Sequence, residues 1–162
     1  MTKVNLTNGD LISLHTILTS LSKEKLPIKF SVARNLKIVT EHLEKFNEEK
    51  TKLHEANVMV SEDGEMVIKE EVREHLSKVQ SIPYDWFEYK DEKSRESFFK
   101  KLIEITTDSI ELDLSCEKLD RSVKVKADNG YETLTLEEVL SDPEANINAE
   151  AIGVLMKFEL LK

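Results

Sequence analysis

The stretch PIKFSVARNLKIVTEHLEKFNEEKTKLHEAN, from Pro27 to Asn57, decides the architecture. Its apolar residues fall at Val32, Leu36, Val39, Leu43, Phe46 and Leu53, in steps alternating four and three, with Lys50 where one more is due. That spacing holds a narrow stripe on one side of a helix laid along a partner helix. At about 1.5 Å per residue the helix is roughly 45 Å long, more than the core of a domain this size covers. Its far end therefore needs a partner, in this chain or in another.

Upstream, Val4 and Leu6 suit a short lead-in strand, and Thr7, Asn8 and Asp10 are good helix caps. Leu11, Leu14, Leu18 and Leu21 follow at helical spacing and predict a first helix from about Gly9 to Ser22. The Leu26-Pro27 step closes the link, because a residue before proline is pushed out of the α region. Pro27 then suits the first turn of the second helix, where its missing N–H costs nothing. So short a link folds the two helices into an antiparallel hairpin.

Downstream the period changes. Val58 and Val60, then Met66 and Ile68, flank Ser61-Glu62-Asp63-Gly64, whose Asp-Gly is a strong hairpin signal. Glu70 to Gln80 reads as a helical turn or two, and Ile82 to Tyr89 as an irregular loop. Asp91 caps a third helix running to about Thr107, with Phe98 or Phe99, Leu102 and Ile105 inward. Ser109 to Ser115 alternates as a half-buried strand, and Arg121 to Lys126 alternates again before Asp128-Asn129-Gly130 turns it toward Tyr131 to Thr135. Thr135 or Ser141 suits the cap of a short helix, Asn148 that of a last one, and Phe158 to Leu161 a final strand.

The chain has 162 residues, 34% of them charged and 6% aromatic, so the expected core is thin and aliphatic. Net charge is −9, unevenly placed. From Glu41 to Glu74 there are eleven acidic residues against five basic, and from Ala127 to Glu150 seven acidic and none basic. Leu21 to Thr40 runs the other way, with Lys23, Lys25, Lys29, Arg34 and Lys37 against Glu24 alone. An acidic chain repels phosphate backbones, which disfavours general nucleic-acid binding. The lone Cys116 excludes an intrachain disulfide and fits a reducing compartment. With no long apolar run and no signal-peptide pattern, a soluble protein made in the cytoplasm is expected.

Three stretches carry a resemblance. Leu6-Thr7-Asn8-Gly9-Asp10 leads into the leucine-rich helix, and Lys25-Leu26-Pro27-Ile28-Lys29-Phe30 leads into Ala33-Arg34-Asn35-Leu36. Phe46-Asn47-Glu48-Glu49 then runs through Leu53. This order resembles a family of small acidic helical-hairpin proteins of tailed bacteriophages, whose pattern continues with an Asp-Gly turn, a helix with paired Phe and Leu, and an acidic alternating strand. Asp63-Gly64 and Phe98 to Leu114 match that continuation, while Tyr84 to Tyr89 and Ala127 to Ala145 look like additions. The resemblance implies a viral origin and a helical hairpin, with the host cytoplasm or the virion as its location. It carries no activity and no site residues.

Tyr84, Trp86, Phe87 and Tyr89 are four of ten aromatic residues gathered into six positions. Aromatics with an apolar body and a polar tip suit interfaces. The competing reading folds this loop over the hairpin as the missing core of the long helix. Among His15, His42, His54 and His75 no two lie three or four apart, so no metal set is read, and no cofactor motif is present. The best pairings of a carboxylate with a histidine are of the kind Glu55 with His54 or Glu74 with His75, and neighbours in sequence point to different helix sides. The basic residues from Lys23 to Lys37 suit an anion or an acidic partner, or simply solubility.

The sequence thus predicts one α+β domain over 1–162, a long antiparallel helical hairpin over 1–57 and further helices with a small antiparallel β portion over 58–162. The expected function is binding another protein, host or phage, without catalysis. Trp86, Phe87, Tyr84, Tyr89, Glu48 and Glu49 are the candidate partner-binding residues. A host-directed inhibitor or anti-defence factor with an acidic face is expected first. A phage assembly factor or minor virion protein, self-associating through the long helix, is the alternative. Neither nucleic acid nor membrane is an expected partner.

Overall fold

Thr7 ends a strand and starts a helix. In the computed structural model, which describes residues 1–162, strand β1 (Thr2–Thr7) passes directly into helix α1 (Asn8–Ser22). The Thr7 hydroxyl accepts from the Asp10 amide at 3.0 Å, and the Asp10 carboxylate accepts from the Thr7 amide at 3.0 Å. This reciprocal capping box satisfies two otherwise orphaned donors. Those bonds to Thr7 also hold the Asp10 carboxyl below its ordinary range. The four α1 leucines, Leu11, Leu14, Leu18 and Leu21, are all buried.

The chain forms two compact units, Met1–Glu44 with Ser109–Lys162, and Lys45–Asp108. The first break falls inside the long helix α2 (Lys29–Asn57), not at the change of period after Asn57. No helix is long and apolar enough to cross a membrane.

In the first unit, β1 pairs antiparallel with β2 (Ser109–Leu114), Val4 opposite Leu112 and Leu6 opposite Ile110. Val4, Leu6, Leu112 and Leu114 enter a single core with the α1 leucines, Ile28, Val32 and Val39 of the α2 region, and Leu136, Leu155, Phe158, Leu160 and Leu161. Helix α5 (Ala149–Lys157), capped by Asn148 as expected, packs against α1. Strands β3 (Ser122–Ala127) and β4 (Gly130–Thr135) make the expected hairpin, closed by Asp128-Asn129, with Gly130 at φ +130°. Of the two cap candidates at 135 and 141, Thr135 is used. It caps α4 (Leu136–Leu140) in a capping box with Glu138.

Pro27 sits one step earlier than the sequence suggested. The Lys29 amide donates to the Leu26 carbonyl at 3.2 Å, so Pro27 is the second residue of a turn preceding α2, a place its fixed φ suits. The expected final strand is reduced to one parallel bridge, Glu117 to Leu161. Two polar anchors join α2 to the end of β2. Asn35, only 3% exposed, donates from Nδ2 to the Ser115 carbonyl at 2.9 Å and accepts from the Ser115 amide at 2.7 Å. Ser31 donates to the Glu117 carboxylate, which also pairs with Arg121 Nε at 3.1 Å.

The second unit starts with the rest of α2. Phe46 is buried, with the Lys50 ammonium 4.8 Å from its ring centre. After Asn57 come the turn at Gly64 (φ +83°), a nine-residue 3₁₀ helix over Glu70–Lys78 with no buried residue, and a short 3₁₀ turn over Tyr84–Trp86. Helix α3 (Glu92–Thr107) ends the unit, its Ser94 amide donating to the Asp91 cap at 2.7 Å. The stretch read as an irregular loop is ordered differently. Three extended segments bond to one another in a triangle: Met59 N–H to the Glu88 carbonyl (2.7 Å), Glu88 N–H to Val67 (2.9 Å), and Val67 N–H to Met59 (2.9 Å). Each segment thereby has both neighbours as partners, and no long ladder is needed to satisfy the backbone.

Candidate interaction site

α2 delivers His54 into the second unit, where the aromatic cluster closes around it. The imidazole lies 4.5 Å from Phe87, 5.0 Å from Tyr84, 5.2 Å from Phe98 and 6.3 Å from Tyr89, ring centre to ring centre. Phe87 and Tyr84 meet it edge-on, the arrangement the ring quadrupoles favour. His54 is 6% exposed and its Nε2 has no hydrogen-bond partner. Loss of solvent pushes its pKa below the usual value, with Glu55 opposing weakly, so the neutral ring is the stable form. Burial also raises the Tyr89 phenol to about 12, and that phenol donates to the Tyr84 carbonyl at 3.0 Å.

Three of the four candidate aromatics, Tyr84, Phe87 and Tyr89, are thus brought together, but around a histidine. Phe87 is 7% exposed, and Tyr84, Trp86 and Tyr89 are half-buried. Trp86 stands apart from the cluster, 6.4 Å from His75, while its carbonyl accepts from the Lys69 amide at 2.9 Å. Glu55 is exposed beside buried His54, and Glu74 and His75 are both exposed.

Glu48 and Glu49 lie exposed on α2, neither in an ion pair. Asp and Glu at 48, 49, 55, 62, 63, 65, 70, 71 and 74 are all exposed. Of the four cations of the same span only Lys52 is both exposed and outside an ion pair: Lys50 and Lys69 are half-buried, and Arg73 pairs with Glu70 at 3.0 Å. Desolvation pushes the Lys50 pKa down. The exposed charge of this stretch is therefore strongly one-signed.

A feature absent from the sequence-based candidates lies in the first unit. Phe30, the second residue of α2, is 90% exposed, and Lys29, Ala33, Arg34 and Lys37 around it are exposed too. The signal was its phase: two residues from Val32 is roughly 200° round a helix, the opposite side from the seam. Compared with protein-family models, curated proteins and solved structures, the chain matches none.

Proposed function

We propose that this chain acts by binding another protein, without catalysis, through the acidic surface of its Lys45–Asp108 unit. The carrying observation is that all the carboxylates from Glu48 to Glu74 face water while two of four cations in that span are drawn inward. A one-signed surface of that kind steers a basic partner toward it and covers a basic cleft. With the resemblance to phage proteins, the partner we propose is a host enzyme or defence protein with such a cleft. The inward turn of Tyr84, Phe87 and Tyr89 supports a rigid base for that surface.

The test has two stages. Crosslinking in cells that make the tagged chain, followed by mass spectrometry, identifies stoichiometric partners. Stopped-flow association with the purified partner is then compared for the wild type and Glu48→Lys with Glu49→Lys. The expected result is an association rate that falls with both salt and charge reversal, while dissociation changes little. An association rate indifferent to both sinks the acidic-surface reading. Crosslinks confined to further copies of the chain would favour the assembly role.

A further inference from the structure

A second surface, in the other unit and of opposite sign, lies outside that reading. Phe30 leaves nearly its whole ring in water, yet its position is firmly set. On the far side of the same helical turns Ile28 and Val32 are buried, Asn35 is bonded twice to Ser115, and Ser31 is bonded to Glu117. The turn before the helix is held as well, since Arg121 Nη2 donates to the Pro27 carbonyl at 3.3 Å. A helix anchored on its inner side and carrying an exposed aromatic ring differs from a mobile tail that happens to expose one.

Residues 30, 34 and 37 follow one another along one helix face, at i, i+4 and i+7. That face therefore presents Phe30, Arg34 and Lys37, with Ala33 beside them leaving room, and Lys23, Lys25 and Lys29 are exposed at the turn. Of these cations only Lys37 has an ion-pair partner, Glu41 at 4.0 Å, and both groups are largely in solvent. The cations are thus free to meet external carboxylates.

The geometry points to a docking site for an acidic segment of a partner protein, laid along Phe30–Lys37, with an apolar side chain against the Phe30 ring and Asp or Glu on either side. The chemistry selects this occupant. Aromatic residues and arginine are enriched at protein interfaces, and Phe30 with Arg34 supplies one of each on the same face. A membrane-surface helix needs a broad apolar band, whereas the buried side of this helix is already used and its outer side offers one ring. Nucleic acid is opposed by the net charge of −9. A two-fold contact of the patch with itself would set like charges together.

The experiment selects short random displayed peptides on the full-length chain and measures the best binder by fluorescence anisotropy at about 50 and about 200 mM salt. Wild type, Phe30→Ala and Arg34→Glu with Lys37→Glu are compared. Vesicles of equal phosphatidylcholine and phosphatidylserine and a single-stranded oligothymidylate serve as alternative ligands, with sedimentation of the chain alone. The expected result is enrichment of Asp and Glu around one aromatic or aliphatic residue, and an affinity lowered about tenfold or more by either variant and by salt. Circular dichroism should show both variants folded, since every substituted side chain is exposed. No enrichment, a consensus without acids, or binding unaffected by Phe30→Ala overturns the proposal. So does Phe30-dependent binding to vesicles or DNA, or Phe30-dependent self-association, in place of peptide binding. The acidic surface of the other unit is untouched by these variants, so its own test stands independently.

Discussion

The Asn35 side chain and the Ser115 backbone bond to each other twice, amide nitrogen to carbonyl at 2.9 Å and amide oxygen to peptide N–H at 2.7 Å. Asn35 thus takes the part of a neighbouring strand just where β2 ends. A buried side-chain amide is tolerated there because both its halves are satisfied.

Asn35→Ala should therefore cost about 1–2 kcal/mol, since two half-buried backbone groups lose their partners. Ser115→Ala should cost much less, because the bonds use only its backbone. Urea denaturation of both variants checks this; equal losses would show that the double bond matters little.

His54 gives the Lys45–Asp108 unit a pH dependence of known sign. Its pKa is lowered in the folded chain by desolvation, so the unfolded chain binds the proton more readily. Stability should fall as pH drops below the ordinary value of 6.5 and level off below the folded value. His54→Leu should remove that component and leave the chain at least as stable at neutral pH, because the unpartnered Nε2 disappears. Denaturation midpoints of both proteins across this range decide it; parallel curves would assign the dependence to other groups.

Phe87 and Trp86 should respond differently to truncation. Phe87→Ala opens a hole beside His54 and should cost about 3–5 kcal/mol. Trp86→Ala, at a half-buried ring outside the cluster, should cost less, and its backbone bond to Lys69 persists. Thermal melts of the pair check the ordering.

Thr7→Ala should cost about 1 kcal/mol by removing the cap of α1. The Asp10 carboxyl is held low by its bonds to Thr7, so its contribution is full above its ordinary pKa of 3.8 and is lost as pH falls through the lower folded value. In Thr7→Ala the acid limb of the stability profile should flatten only in part, because the backbone amide of residue 7, the larger cause of the shift, still donates to Asp10, whereas Asp10→Asn should remove the whole component. An unchanged limb in Asp10→Asn would mean that the box contributes little.

Much of this was legible locally. The α1 leucines, the caps at Asp91, Thr135 and Asn148 and the Asp128-Asn129-Gly130 turn act within a few residues, and the α+β class followed from them. The pairing of β1 with β2 was not, because alternation marks a strand without naming a partner more than a hundred residues away. In α2 the apolar seam led to Leu36 and Leu53, which are half-buried, while the neighbouring Asn35 and His54 are buried. A count of apolar residues cannot see a polar side chain that the core satisfies or encloses. Similarly, the density of aromatics from Tyr84 to Tyr89 identified a cluster, but its inward direction depended on His54 and Phe98. The extended stretch at Phe87–Tyr89 escaped notice because its partners, near Val58 and Ile68, contribute single bridges rather than a ladder.

The β1–β2 pairing also sets an order of events during synthesis. β1 leaves the ribosome well before its partner strand, which ends at Leu114, and the buried residues Leu155, Phe158, Leu160 and Leu161 follow later still. At about 5–20 residues per second, the α1 leucines wait on the order of ten seconds for the rest of their core. The segment from Lys45 to Asp108 is complete sooner and contains all its own aromatic partners. On arrested nascent chains exposed just beyond Asp108, cleavage by a protease should therefore be slow around Phe98 and fast around Leu18, so that the segment made second is the one that folds first.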